Sequence, residues 1–201
     1  MSQDFRGAIL RIIEQQSRPV DKFGHQPRLY SLTREIGKKL VYDDDVVYAA
    51  AWLHDLGVFV GNRPEDPAAL NHWDHVAYAC NHVPDLLAEA GFPSEKLPGV
   101  LEAIRTHQPH DNPQTLEATI LRDADILEQL GAIGILRSVS KVGRDTRYAR
   151  FTDVIPVLRK ALANLPTLIR LDRARELAKP RVEVLARFLE AVDGEAGELL
   201  F

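Results

Sequence analysis

Residues 43–57 read DDDVVYAAAWLHDLG, and this stretch decides the fold. Its three leading aspartates suit the start of a helix, because carboxylates cap the first N–H groups and complement the helix dipole. The apolar run Val46–Leu53 that follows predicts a helix with its side chains in the interior. With eight residues, the run is far shorter than the roughly 20 that span a bilayer.

At the end of this run, His54 and Asp55 place an imidazole and a carboxylate beside apolar residues. His54 follows Val47 and Ala50 at helical spacing, so its ring is predicted to project inward. Burying either group without a partner costs a few kcal/mol. Two interpretations follow: a hydrogen-bonded His–Asp pair in the core, or ligands of a divalent ion. Imidazole and carboxylate together suit Mn, Fe, Ni, Co or Zn.

A second predicted helix precedes this stretch. Its apolar residues recur at steps of three and four and indicate one buried face: Leu29, Leu32, Ile36 and Leu40. His25 lies four residues before Leu29 and extends this face toward the start of the helix. It is therefore a second histidine predicted to point toward the interior.

Helical periodicity also dominates the rest of the chain. It predicts four further segments, the last with two or three helices: about residues 73–90, 94–107, 115–130 and 153–192. The polar stretch 141–150 is predicted to be a loop. No alternating strand pattern longer than four residues appears. The sequence therefore predicts an all-α, single-domain protein over residues 1–201, with eight or nine helices.

Composition excludes several classes of protein. The chain has 201 residues, with 25 Lys and Arg against 29 Asp and Glu, so its net charge is −4. A mildly acidic chain has no global attraction for phosphate backbones, and we expect no stable nucleic-acid complex. Residues 1–6 lack the basic and apolar pattern of a signal peptide, and Cys80 is the single cysteine. We therefore expect a cytoplasmic protein with no membrane segment.

Residues 121–134 read LRDADILEQLGAIG and supply two more carboxylates. On a regular helix, Asp123 shares the face of the apolar residues Leu116 and Leu127. Asp125 falls nearly on the opposite face. Periodicity alone therefore predicts Asp123 as the buried carboxylate.

The order of these residues resembles the HD-domain superfamily of metal-dependent phosphohydrolases: a lone histidine, a His-Asp pair on the next helix, and a distant aspartate. Residues 52–57 (WLHDLG) resemble a helix end typical of that superfamily. Two further segments are similar to a bacterial nucleotide pyrophosphohydrolase-like group: residues 121–134 and 174–181 (ARELAKPR). The resemblance spans about residues 25–195. It implies an orthogonal helical bundle of the HD type.

The resemblance further implies a metal-binding core over about residues 25–140 and a helical tail over about 151–201. The implied ligands of a divalent ion (Mn, Mg, Ni, Co, Fe or Zn) are four: His25, His54, Asp55 and Asp125. Asp123 stays open as a rival of Asp125 or as a residue that supports it. One position departs from the pattern, since Ile126 stands where the group has arginine. No role of that arginine is carried over.

Further candidates surround this ligand set. The resemblance implies that Asp55 also orients the attacking water and that His75 and His107 line the site as catalytic residues. Arg28, one helical turn from His25, is a candidate for binding substrate phosphate. Lys141 and Arg144 lie in a locally basic part of the chain and are candidates for steering an anionic substrate. Surface ion pairs are the other interpretation of these cations.

The implied function is a metal-dependent phosphohydrolase that acts on a small phosphorylated metabolite, in first place a nucleotide. A metal-activated water would attack phosphorus. Two alternatives stay open. One is a di-iron HD-type oxygenase that uses His75 and His107. The other is a non-catalytic HD-domain sensor or scaffold. The expected partner is a small molecule, and the sequence is also compatible with a homo-oligomer.

Overall fold

The computed structural model describes residues 4–19, 24–144 and 148–196. These residues form the following helices in chain order: α1 Phe5–Gln16, α2 His25–Gly37, α3 Asp44–Leu53, α4 Pro67–Asn71, α5 His75–Glu89, α6 Leu97–Arg105, α7 Leu116–Glu128, α8 Gly131–Val139, α9 Val154–Leu168 and α10 Asp172–Ala196. Within the described ranges there is no strand, only an isolated bridge between Val60 and Arg63. The all-α prediction is confirmed.

The chain forms two compact units, Met1–Ala124 and Asp125–Phe201. In the first unit, α3 packs against α1, α2 and α6, and α5 packs against α6. Every residue of the run Val46–Leu53 is buried, so α3 is apolar on all sides because other helices surround it. This central helix ends at the His-Asp pair and therefore carries the pair into the interior.

In the second unit, α10 packs along α8 and α9. Its buried residues repeat at helical spacing on one face: Ala174, Ala178, Leu185 and Leu189. The border between the units lies inside α7, which is one continuous helix. The division into a core over about 25–140 and a tail over about 151–201 stays a prediction. None of the described helices combines the length and apolar character that a bilayer span requires.

The structure differs from the predicted helix ends at two places. Helix α2 ends at Gly37, so Leu40 lies beyond the helix and is 38% exposed. The ring of Tyr42 packs against Gly37, where a Cβ would lie 2.3 Å from a ring carbon. Helix α3 stops at Leu53, so the His-Asp pair lies beyond its last residue, and a separate 3-10 turn covers Leu56–Val58.

The structure also defines the connections between the predicted helices. The loop after the 3-10 turn contains a short helix, α4, because Asp66 caps it by accepting from the Ala69 N–H, and Pro67 suits its first turn. This brings the described helices to ten. The predicted segment 153–192 contains two helices, α9 and α10. Part of the predicted loop at 141–150, namely residues 145–147, lies outside the described residues.

Candidate metal centre

The end of α3 brings His54 and Asp55 to the same side. In a continuous helix, neighbouring side chains diverge by about 100°. Here the helix stops, His54 is its C-cap, and Asp55 adopts φ −96° and ψ 16° to begin the 3-10 turn. The His54 Nε2 therefore lies 3.6 Å from the Asp55 Oδ2. His54 is buried, and its Nδ1 lies 3.1 Å from the carbonyl oxygen of Ala51.

The 3-10 turn is fixed by close packing against the start of α5. A Cβ on Gly57 would lie 2.5 Å from the carbonyl oxygen of His75, so only glycine allows this approach. The Trp73 Nε1 donates to the carbonyl oxygen of Gly57 at 2.7 Å, and the Asn62 side chain donates to that of Leu56 at 2.9 Å. These contacts hold the backbone that carries Asp55 and set it beside His75.

His25 reaches the pair from α2, where it is the first helical residue. It is buried, as its place on the apolar face predicted. Its Nε2 lies 3.3 Å from the His54 Nε2 and 3.8 Å from the Asp55 Oδ2. Three residues from two helices thus place nitrogen and oxygen atoms around one point.

Two more histidines stand beside this group. His107 follows α6 and is buried, with its ring centre 4.8 Å from that of His54. Its Nδ1 lies 2.7 Å from the carbonyl oxygen of Ile104. His75, the first residue of α5, is half-buried, and its ring centre lies 6.0 Å from that of His107. The two histidines predicted to line the site are therefore neighbours.

The two aspartates of α7 have different partners. Asp123 is fully buried and contacts Arg122, whose Nη1 lies 3.3 Å from the Asp123 Oδ1. Asp125 is 8% exposed and accepts a hydrogen bond of 3.1 Å from the Gln129 side chain. Residues 120–128 are buried on every face of the helix, so periodicity could not distinguish the two carboxylates.

Two sets of potential ligand atoms result, and in each set the atoms lie within 4.8 Å of one another: His25, His54 and Asp125, and His54, Asp55 and His107. Asp125 directly follows Ala124, the last residue of the first unit, on the same helix. His54 belongs to both sets. All four residues predicted as metal ligands, together with His107, are therefore members of these sets, and their metal-binding role stays a prediction.

The donor set fits a divalent ion. Two ligands at right angles on an ion with bonds of about 2.1 Å are roughly 3 Å apart, close to the 3.3 Å between the His25 and His54 Nε2 atoms. His54 and His107 each direct Nδ1 at a carbonyl oxygen. A carbonyl oxygen only accepts, so this contact calls for the proton on Nδ1; in the neutral ring the lone pair is then on Nε2, the nitrogen that would bind a metal.

The predicted phosphate-binding residues belong to different units of the chain. Arg28 is half-buried on α2, three residues after His25. Lys141 and Arg144 follow α8 in the second unit, where the Arg144 Nε donates to the carbonyl oxygen of Ser140 at 2.7 Å. Their role toward a substrate stays a prediction.

Sequence reasoning missed two neighbours of Asp125. Gln129 lies four residues later on the same stretch of chain, a spacing that could have revealed it. Arg137 lies on α8, with its Nη1 4.0 Å from the Asp125 Oδ1 and 3.4 Å from the buried Glu128 Oε2. No spacing rule relates residues on two helices, so only the fold could reveal Arg137.

The model of the HD domain family matches residues 23–130, more than half of the chain. This chain belongs to the HD domain family. The match begins just before His25 and ends just after α7, so it includes every member of the two ligand sets. The HD protein is also 26% identical to YpgQ of Bacillus subtilis (strain 168) over 184 residues, which cover 84% of this chain and 81% of YpgQ.

Solved structures show the same fold. The HD protein superposes on the crystal structure of Bacillus subtilis YpgQ with a TM-score of 0.73 and 23% identity, over 99% of this chain and 100% of the other. YpgQ has also been solved in complex with ADP, with a TM-score of 0.69, 22% identity and coverage of 96% and 99%. An HD-superfamily hydrolase from Bacillus thuringiensis gives a TM-score of 0.69 and 20% identity, over 97% and 98%. The HD-type helical fold predicted from the sequence is confirmed.

Proposed function

We propose that this HD protein is a metal-dependent phosphohydrolase that cleaves a nucleotide. The observation that carries the proposal is the convergence of His25, His54, Asp55 and His107, four side chains from three separate segments whose donor atoms lie close to one another. Gathering several ionisable groups in an apolar core is costly unless a cation neutralises the carboxylate and accepts the nitrogen lone pairs.

A bound divalent ion would lower the pKa of a coordinated water and polarise a phosphoryl oxygen. The residues of the chain then have separate tasks. His25 and His54 hold their Nε2 atoms toward the common centre, with His54 oriented by Ala51. Asp55, with a side chain 17% exposed, is the member of the first unit that reaches toward solvent and can accept a proton from an attacking water.

In the proposed reaction, we assign His75 and His107 to contacts with the substrate. His107 is held rigidly by its contact with the Ile104 carbonyl, whereas His75 is half-buried and accessible. An imidazole at this position can donate a hydrogen bond to a phosphoryl oxygen as negative charge builds up there. The nucleotide is favoured among phosphorylated metabolites because the related YpgQ, which shares the fold over nearly its whole length, has been crystallised with ADP.

The test is a nucleotide panel incubated with the metal-free protein and then with Mn, Mg, Ni, Co, Fe or Zn. Products are separated by chromatography so that release of phosphate or pyrophosphate is distinguished. We expect hydrolysis that requires an added metal and disappears in His54→Ala, while the exposed His110→Ala retains it. Full turnover and full metal content in His54→Ala would refute the proposal.

One observation favours a second candidate, a di-iron oxygenase. The ring of His75 lies beside that of His107, so two imidazoles besides the four predicted ligands could serve a second iron. Oxygen consumption by anaerobically iron-loaded protein, with no product from any nucleotide, would favour this candidate. A protein that binds no metal at all would instead favour a non-catalytic sensor.

A further inference from the structure

Three aromatic side chains form a continuous surface beside the candidate metal centre. The ring centres of Trp73 and Tyr78 lie 5.4 Å apart at an interplanar angle of 49°. Tyr78 in turn stacks on His82, with ring centres 3.9 Å apart and planes within 20° of parallel. Trp73 and Tyr78 are half-buried and His82 is exposed, so the surface is open to solvent. We call these three residues the aromatic ledge.

The ledge is joined directly to the ligand-bearing turn. The indole Nε1 of Trp73 donates to the carbonyl oxygen of Gly57 at 2.7 Å. Gly57 follows Asp55 by two residues, a chain length of at most about 7 Å. Trp73 also precedes His75 by two residues along the chain. The ledge is therefore connected to the turn that carries Asp55 by a hydrogen bond, and to His75 by two residues of chain.

The three aromatic rings lie outside the buried face of α5. Trp73 and Tyr78 flank the first turn of α5, whose buried face consists of Ala79, Val83 and Leu87. His82 lies on the solvent side, where its Nδ1 contacts the Tyr78 carbonyl oxygen at 2.8 Å. Half-exposed rings that pack on each other rather than in the core present flat apolar surface to solvent, which is the surface that nucleobases stack on.

We propose that the aromatic ledge of Trp73, Tyr78 and His82 binds the base of the nucleotide substrate by stacking, while its phosphates lie at the candidate metal centre. This inference rests on the proposed nucleotide hydrolysis. Stacking on aromatic rings tolerates any base, because every base has a π face. The ledge therefore selects nucleotides over phosphate compounds without a base, and discriminates weakly between purines and pyrimidines.

The test compares a substrate with a base and one without. Tyr78→Phe keeps the ring, whereas Tyr78→Leu keeps apolar bulk and removes the plane. With ATP, we expect Tyr78→Leu to raise KM about 5- to 100-fold with little change in kcat. Tyr78→Phe should stay within about twofold of wild type. With inorganic tripolyphosphate, all three proteins should have the same kcat/KM. Phe151→Ala, which removes an exposed aromatic ring of the second unit, is the matched control.

If Tyr78→Leu loses kcat/KM equally for ATP and for tripolyphosphate, Tyr78 has a structural role and the proposal for the aromatic ledge is overturned. Equal KM values for ATP in Tyr78→Leu and wild type would overturn it as well. Calorimetric titration of ADP with Mn present separates the two proposals. If Tyr78→Leu weakens ADP binding and the wild type hydrolyses no nucleotide, the result supports the aromatic ledge and refutes the proposed function. If the wild type and Tyr78→Leu hydrolyse ATP equally well, the result supports the proposed function and refutes the aromatic ledge.

Discussion

The two aspartates of α7, Asp123 and Asp125, lie two residues apart and have different neighbours. Asp123 forms a buried pair with Arg122, and the same guanidinium also donates to the carbonyl oxygen of Pro109. This arrangement ties α7 to the loop that follows His107. Asp125 instead is grouped with His25 and His54 among residues that could hold a metal ion. The first carboxylate is therefore expected to act in folding and the second in metal binding.

Asparagine substitutions separate these tasks. Asp123→Asn removes the carboxylate charge from the buried contact with Arg122 and should lower the free energy of unfolding by about 3 kcal/mol or more. Asp125→Asn should cost less stability but weaken metal binding at least about tenfold. Urea unfolding in chelator and titration with Mn measure the two effects. A folded Asp123→Asn protein that has lost its metal, with normal binding by Asp125→Asn, would reverse the assignment.

The absence of a side chain on Gly57 allows the turn that carries Asp55 to pack closely against His75. Gly57→Ala would place a Cβ 2.5 Å from the His75 carbonyl oxygen and 2.8 Å from its Cα. Backbone atoms cannot rotate away as a side chain can, so we expect a loss of about 1–3 kcal/mol. The displaced turn should also weaken metal binding, which calorimetry can measure.

Gly194→Ala is the matched control for this substitution. Gly194 lies near the end of α10 with nothing within 4 Å of its added Cβ. Alanine there should stabilise the protein by about 0.5–1 kcal/mol, because it restricts the unfolded chain. Similar effects of the two substitutions would show that the contact between Gly57 and His75 is not close in solution.

At the scale of elements, an ion-pair network holds the start of α3. Arg6 on α1 contacts the carboxylates of Asp44 and Asp45 at 2.9 and 2.7 Å. Lys96, just before α6, contacts Asp43 and Asp45 at 2.9 and 2.8 Å. The Arg6 guanidinium also lies 4.7 Å from the ring centre of Tyr48. Three segments of the first unit are thereby joined at the helix whose far end carries His54.

This network makes stability depend on pH. The hydrogen bond from Arg6, followed by that from Lys96, lowers the pKa of Asp45 below its ordinary value. A lowered pKa in the folded state stabilises the protein above the ordinary aspartate pKa of about 4, and this contribution disappears as the pH falls through the folded-state pKa.

Asp45→Asn should therefore lower the free energy of unfolding by about 0.5–1 kcal/mol at pH 7. The difference from wild type should shrink as the pH falls below about 4. Urea unfolding between pH 7 and pH 3 measures this dependence, with Glu190→Gln on the exposed face of α10 as a control. A difference that stays constant over this range would show that the lost charge is not the cause.

At the scale of the whole molecule, metal binding should stabilise the fold. A ligand that binds only the folded protein stabilises it by about 2.7 kcal/mol at a concentration of 100 Kd. For a chain of this size, that corresponds to a rise in Tm of roughly 5–10 °C. We expect this rise on adding Mn to chelator-treated wild type and none in His54→Ala. Calorimetry without any rise in wild type would contradict the candidate metal centre.

The sequence determined most of the helices, because apolar residues at steps of three and four can be recognised without knowing what they contact. The burial of His25 and His54 followed from the same spacing. Their order along the chain, with Asp55 and Asp125, indicated the HD domain family that the match over residues 23–130 shows. Those features are local, or are preserved as a pattern of residue types.

Contacts between residues of separate segments could be identified only from the tertiary structure. Periodicity favoured Asp123 as the buried carboxylate, but residues 120–128 of α7 are buried on every face, and Asp125 is the aspartate grouped with His25 and His54 as a possible metal ligand. The contact of Arg137 with Asp125 and the packing of Gly57 on His75 likewise join separate elements. Spacing along one helix fixes which face a side chain occupies, but the partner on that face is set by the packing of the other helices.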